Sequence, residues 1–345
     1  MTDPSTPPVP PAGVPAVPAS PSEILGTPPD PRDEGPRHPE TLMRIPDSRV
    51  AQELVFDPAH AWYGQSYRAS EPSFGDPVLA AAWHAARRCA MDTVLTALAG
   101  SPWADKLVLR GSVMLRAWLG EAAREPGDLD FVAVPRTWKV GDPATQVMLT
   151  SIPRLVAEES DRRNRGGVVF AAQWARSDEI WTYDRAPGRR LVLPWSAPGI
   201  PGGLVQLDFV FEETLHVEPE PSAIPLAGGG TAVLLAATPE LSLGWKIIWL
   251  LTDLFPEGKD LYDAVLLAEW MPLPLPRDLM GLLIADLEDA QYYADVDLDE
   301  IRRACDDVDW RGFAADYPGL AVDQEDLVRR LLAALAPTFG AEQPG

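Results

Sequence analysis

Leu79, Trp83, Ala86, Met91, Leu95 and Leu98 supply helical spacing, which predicts a helix from Pro77 to Ala99. The pattern then changes. KLVLR, ending at Arg110, reads as a short strand, Gly111-Ser112 as a turn, and Met114, Leu115 and Leu119 as a second helix. DLDFVAV follows as a strand, a helix is predicted over Gln146 to Glu158, and strand-like runs occupy Gly167–Phe170, Leu191–Leu193 and Val205–Phe211. This alternation predicts an α/β (α+β) fold, a mixed sheet with flanking helices. From Pro239 onward the spacing is helical, over 240–253, 258–270, 277–292, 296–306 and 323–335, with Pro272, Pro274 and Pro276 breaking the series.

Composition divides the chain further. Residues 1–45 are dominated by Pro, Ala, Ser, Gly and charge, cannot bury enough apolar surface to offset chain entropy, and are expected to be a disordered tail. Residues 46–238 form the expected mixed-sheet domain, and 239–338 a helical C-terminal domain that contributes Lys246 and Asp260. Cys89 and Cys305 are far apart, which argues against a disulfide scaffold and suits a reducing cytoplasm. The 4 histidines form no close pair, so a zinc enzyme is not expected. No signal peptide is visible, and the apolar stretch Thr231–Leu251 is interrupted by Pro239, Glu240 and Lys246, unlike a membrane span. The net charge of -22 opposes phosphate neutralisation. Acidic residues concentrate between Asp286 and Asp309, however, and arginines between Arg87 and Arg190, so an RNA substrate stays open.

Candidate chemistry sits at Asp128 and Asp130. Mg²⁺ takes a few carboxylate oxygens and keeps its other positions for water and phosphate. Side chains at i and i+2 of a strand share a face, so this pair could hold a cation while Leu129 and Phe131 face the core. Alone, such a pair is a weak signal, since most are solvated surface carboxylates. Gly111 and Ser112 strengthen it, because a strand-to-helix turn can present backbone N–H groups to a triphosphate. The same two residues also read as a plain N-cap and turn. Asp208, inside the apolar run VQLDFVFEE, is either a third metal carboxylate or an edge-exposed side chain. Lys246 stands among Trp245, Ile247 and Ile248, and needs an anionic partner or an escape to solvent. Trp245 and Trp249, at helical spacing, are explained better by core packing than by base stacking.

LVLRGSVMLRAWLGEAAREPGDLDFVAV resembles the segment of AbiEii/AbiGii toxin-type nucleotidyltransferases, within the polymerase-beta-like superfamily, in which a Gly-Gly or Gly-Ser turn precedes an arginine and a D-x-D pair. PELSLGWKIIWLL and GKDLYDAVLLAEW are similar to that family's lysine helix and its [RK]-D-x-x-D helix. The resemblance spans roughly Leu79 to Trp270 and rests on three motifs in the right order. It implies a nucleotidyltransferase fold, metal at Asp128 and Asp130, and nucleotide at Arg124 and Lys246; the reading of the residues adds Asp208 as a third metal carboxylate and Gly111 and Ser112 as nucleotide-binding. It also implies a role for Asp260 in orienting or deprotonating the acceptor hydroxyl, and sets Lys259 and Asp263 in register. Two departures stand out: Pro126 replaces a frequent Ser/Thr, and the turn is Gly-Ser.

The expected function is Mg²⁺-dependent transfer of a nucleoside monophosphate from an NTP to an RNA (tRNA) or protein hydroxyl, by a toxin with a cognate antitoxin and no membrane association. Two alternatives remain: nucleotidylation of an aminoglycoside-like small molecule, and a catalytically silent nucleotide-binding protein. Asp128→Ala and Lys246→Ala are both expected to abolish transfer with the fold intact.

Overall fold

Residues 38–60, 66–163, 167–182 and 186–340 are described in a computed structural model of the chain. Most of the expected tail, residues 1–37, therefore lies outside the described residues. Its last part does not behave as expected, because Leu42 and Met43 are buried. Apolar side chains at these positions give the segment a packing gain that the proline-rich composition around it hides.

Two short antiparallel ribbons follow, β1 (Val50–Ala51) with β4 (Ser73–Phe74) and β2 (Leu54–Phe56) with β3 (Tyr67–Ala69). Helix α1 (Pro77–Ala99) starts where Asp76 accepts the Val78 N–H at 2.8 Å and Pro77 takes the first helical position. The main sheet is built from β5 (Leu107–Arg110), β6 (Leu129–Ala133), β7 (Val169–Phe170), β8 (Arg176–Thr182), β9 (Ala186–Ser196), β10 (Gly203–Val210), β11 (Glu220–Pro225) and β12 (Thr231–Ala236). Its order is β11-β12-β5-β6-β10-β9-β7, with β8 also on β9. β6 runs parallel to β10 and β5 parallel to β12, while β5–β6 and β9–β10 are antiparallel. The sheet is mixed, as the apolar pattern predicts. Helices α2 (Ser112–Leu119) and α3 (Pro143–Arg163) interrupt the strand series.

The helical C-terminal region comprises α4 (Pro239–Thr252), α5 (Gly258–Trp270), α6 (Arg277–Ala285), α7 (Leu298–Asp306), α8 (Trp310–Asp316) and α9 (Gln324–Phe339). The helix expected over 277–292 ends at Ala285 and resumes only as one 3₁₀ turn, Ala290–Tyr292. α8 is not foreshadowed by the spacing; its seven residues offer too little periodicity to read.

The period of two along a strand assigns each face to a different core. Leu107, Leu109, Leu129, Phe131, Leu207 and Phe209 join α1 and α3 in one cluster. Val108 and Val132 join Leu241, Ile248, Leu261 and Leu331 of the C-terminal helices in the other. The change at residue 238 is thus a junction between β12 and α4, across which one sheet serves both cores. Polar residues in step with Val108 and Val132 must emerge on the side of the C-terminal helices.

Candidate active site

Four charged residues lie in one row across that second face. Arg110 on β5 is registered with Asp130 on β6, Asp130 with Asp208 on β10, and Asp208 with Arg190 on β9. Neighbouring positions in adjacent strands bring side chains within reach of one another. Asp128 precedes β6 by one residue and lines the same cavity as Asp130. The loop before it is fixed from behind: Arg87 donates to the Gly127 carbonyl at 2.6 Å and pairs with Glu71 at 2.7 Å.

The inner cavity, about 90 Å³, brings together Gly111, Ser112, Arg124, Asp128, Asp130, Asp208 and Lys246. Arg124, Asp128, Arg190, Glu257 and Lys259 also line an outer cavity of about 190 Å³, so the two form one cleft. Gly111 has φ +77°, and a Cβ there would run into the Asp130 carboxylate. Only glycine meets both demands at low cost. Ser112 opens α2 with its hydroxyl buried and without a hydrogen-bond partner; the buried Arg110 Nη1 makes no hydrogen bond either, and pairs only with Glu213 at 3.9 Å. Arg110 lies over the rings of Trp245 and Trp249 at 5.0 and 5.3 Å, so these tryptophans fill the core and also support a cleft cation.

Neither Asp128 nor Asp130 makes a side-chain ion pair or hydrogen bond among the described residues. Burial, reinforced by Asp128 and then Asp208, pushes the Asp130 carboxyl up to about 7 against the opposing fields of Arg110 and Lys259. A divalent cation would relieve this like-charge strain, and the hard oxygen donors suit Mg²⁺. On this observation the pair fits a metal.

The third expected carboxylate, Asp208, is engaged by other side chains. Both oxygens of Asp208 are taken by Arg190, at 2.9 Å from Nε and 2.8 Å from Nη2, and Gln206 donates to it at 3.2 Å. Among the described residues no group of three or more His, Cys, Asp or Glu is disposed to hold a metal ion. The physical reason is the register: the arginine directly opposite on β9 offers a planar fork that matches a carboxylate.

Two other expectations change. Arg124 lines the cleft, but its guanidinium is committed to Asp263 at 3.0 and 2.9 Å and to the Tyr317 hydroxyl at 2.7 Å. Asp260 is fully buried and lines neither cavity; its carboxylate accepts from Lys246 Nζ at 2.6 Å. Lys246 also pairs with Asp263 at 3.1 Å. Burial alone would lower its pKa, but Asp260 and Asp263 raise it, so the lysine keeps its charge. Asp260 thus holds Lys246 from behind the cleft. Lys259 reaches both cavities and pairs with Glu257 at 2.8 Å. Glu257 and Asp128 raise its pKa against the effect of burial.

Sequence reasoning did not single out Arg110, Arg190 or Asp57. Arg190 donates to Asp57 as well as Asp208, and Asp57 also holds His60 at 3.0 Å. Burial would raise the Asp57 carboxyl, but Arg190 and His60 hold it well below the usual range. An arginine in step with the outward face of an apolar strand, as in RRLVLPW, is the available signal for Arg190. Asp57 carries none, because a single acid in a loop is ordinary.

A family model described as "Nucleotidyl transferase AbiEii toxin, Type IV TA system" matches residues 93–337. Among solved structures, MenT4, a nucleotidyltransferase toxin from Mycobacterium tuberculosis H37Rv, is 16% identical with a TM-score of 0.40, over 75% of this chain and 95% of that one. No curated protein matches. The family match covers well over half the chain and takes in the strand row, the glycine turn and the lysine helix. The chain belongs to the AbiEii family of nucleotidyltransferase toxins of type IV toxin–antitoxin systems.

Proposed function

We propose that the cleft transfers a nucleoside monophosphate from an NTP to a hydroxyl of an RNA, tRNA foremost, or of a protein. The acceptor oxygen attacks the α-phosphorus, the bond to the β-phosphate breaks, and pyrophosphate leaves. Asp128 and Asp130 would hold Mg²⁺, which supplies charge neutralisation at the phosphates. Gly111 and the buried N-terminus of α2 would receive phosphate oxygens, with the Ser112 hydroxyl and the Arg110 guanidinium as donors. Lys246, held charged by Asp260 and Asp263, and Lys259 at the mouth add positive potential on the opposite wall. The observation that carries this reading is the Asp128–Asp130 couple, without side-chain partners among the described residues, lining one narrow cavity with the Gly111 turn, the buried Ser112 hydroxyl and Arg110.

Toxin activity would place the protein in the cytoplasm with an antitoxin partner. No described helix is long and apolar enough to cross a membrane, and Cys89 and Cys305 are free. A second reading, a cationic small-molecule acceptor, is supported by the concentration of acidic residues between Asp286 and Asp309. Purified protein incubated with each labelled NTP, Mg²⁺ and separate arms of tRNA, soluble protein and an aminoglycoside panel distinguishes the acceptors. Label in tRNA or protein supports the first reading, and label in the drug supports the second. No incorporation in any arm contradicts both.

A further inference from the structure

We propose that Asp208 is not a metal ligand in this protein, and that the Arg190 guanidinium permanently occupies the place beside Asp208 where a metal would otherwise be bound. The inference rests on the reading of Asp128 and Asp130 as the metal-binding pair, and it narrows that pair to a two-carboxylate, one-ion site.

Arg190 engages both Asp208 oxygens, at 2.9 and 2.8 Å, which is the strongest geometry a carboxylate can make with a side chain. The contact is not a chance meeting of mobile side chains. The two residues are paired in register across β9 and β10, and Arg190 is buried to 5% exposure. The other end of the guanidinium is tied to Asp57, itself held by His60, so the arginine is gripped from two sides. Swinging Arg190 away to admit a metal would strip a buried cation of its partners. Removing one partner of a buried pair leaves the other as an uncompensated buried charge. Breaking a two-sided grip offers no cheaper route.

Charge points the same way. Asp208 and Asp57 are answered by Arg190, and Asp260 and Asp263 by Lys246 and Arg124. Glu257 is answered by Lys259. Among the described residues, Asp128 and Asp130 have no side-chain contact partner, which leaves two carboxylates for one divalent cation. Arg190 is thus a positioning residue. It neutralises the second carboxylate of the row and lets β6 and β10 approach without a second ion.

Mn²⁺ titration of the nucleotide-free protein, followed by electron paramagnetic resonance and calorimetry, tests this. The expected result is one bound ion in the wild type. Asp128→Ala should lose it, and Asp208→Asn should keep it with affinity changed less than about threefold. A second ion in the wild type, or a tenfold or greater loss in a folded Asp208→Asn, overturns the inference while leaving the Asp128–Asp130 reading in place. No ion in the wild type overturns both. If Asp208→Asn fails to fold, the wild-type stoichiometry decides alone.

Discussion

Lys246 carries its charge into a helix buried on every side, and the environment explains why it survives there. Asp260 and Asp263, one turn apart on α5, both pair with it, and Asp263 also pairs with Arg124. Removing the lysine leaves the buried Asp260 carboxylate without its partner, so Lys246→Ala is expected to cost about 3–5 kcal/mol of stability as well as transfer. The expectation of an intact fold is thereby corrected for this position. Chemical denaturation of the variant checks it; an unchanged midpoint contradicts the network. Asp128→Ala should behave differently. Its carboxylate has no contact partner, so thermal stability should hold or rise slightly while transfer is lost. Asp57 provides the pH test. Its folded-state pKa is depressed, so its stabilisation is present above the unfolded value near ~4 and is lost as pH falls toward the folded one. Asp57→Asn should therefore lower the melting temperature fully at neutral pH, and the gap should narrow below about pH 4. A gap that widens on acidification would contradict the sign. Asp128, Asp130 and Lys246 are legible as candidates because a charge interrupts an apolar period. Their partners are not, because which buried acid meets which base depends on strand register and helix packing.

At the scale of elements, the strand–turn–helix from β5 to α2 sets the cleft. The turn holds Gly111 at φ +77° against Asp130. Gly111→Ala would strain the backbone by about 1–2 kcal/mol and push the carboxylate aside. Misplacement of about 1 Å can cost 10²-fold in rate. We expect a loss of about that size in transfer, with a circular dichroism spectrum like that of the wild type. Activity within twofold of wild type would show that the turn does not govern the site. The KLVLR strand, its turn and the DLDFVAV strand are readable because period-two runs end at glycine. The order of strands in the sheet is not readable locally. It places β10, far along the chain, beside β6, which brings Asp208 next to Asp130, while the register of β9 with β10 brings Arg190 next to Asp208.

For the whole molecule, the sheet with a core on each face is decisive. Val108 and Val132 are shared with the C-terminal helices, while Leu109 and Phe131 face the other core. Composition marks a change near residue 238, but not that the helices beyond it cover the sheet that lies before it. A chain ending at residue 238 would expose Val108, Leu115 and Val132, and we expect it to aggregate. Calorimetry of the full chain should give one cooperative transition; two separated transitions would contradict a shared sheet.

The central claim, that Asp128 and Asp130 govern nucleotidyl transfer in this cleft, is tested most directly by the position of the label. Wild-type protein and Asp128→Ala are each given an acceptor pool with NTP labelled at either the α- or the γ-phosphate. The account predicts label in the acceptor from the α-phosphate alone, and none with the variant. Transfer from the γ-phosphate, or undiminished α-transfer by Asp128→Ala, would contradict it.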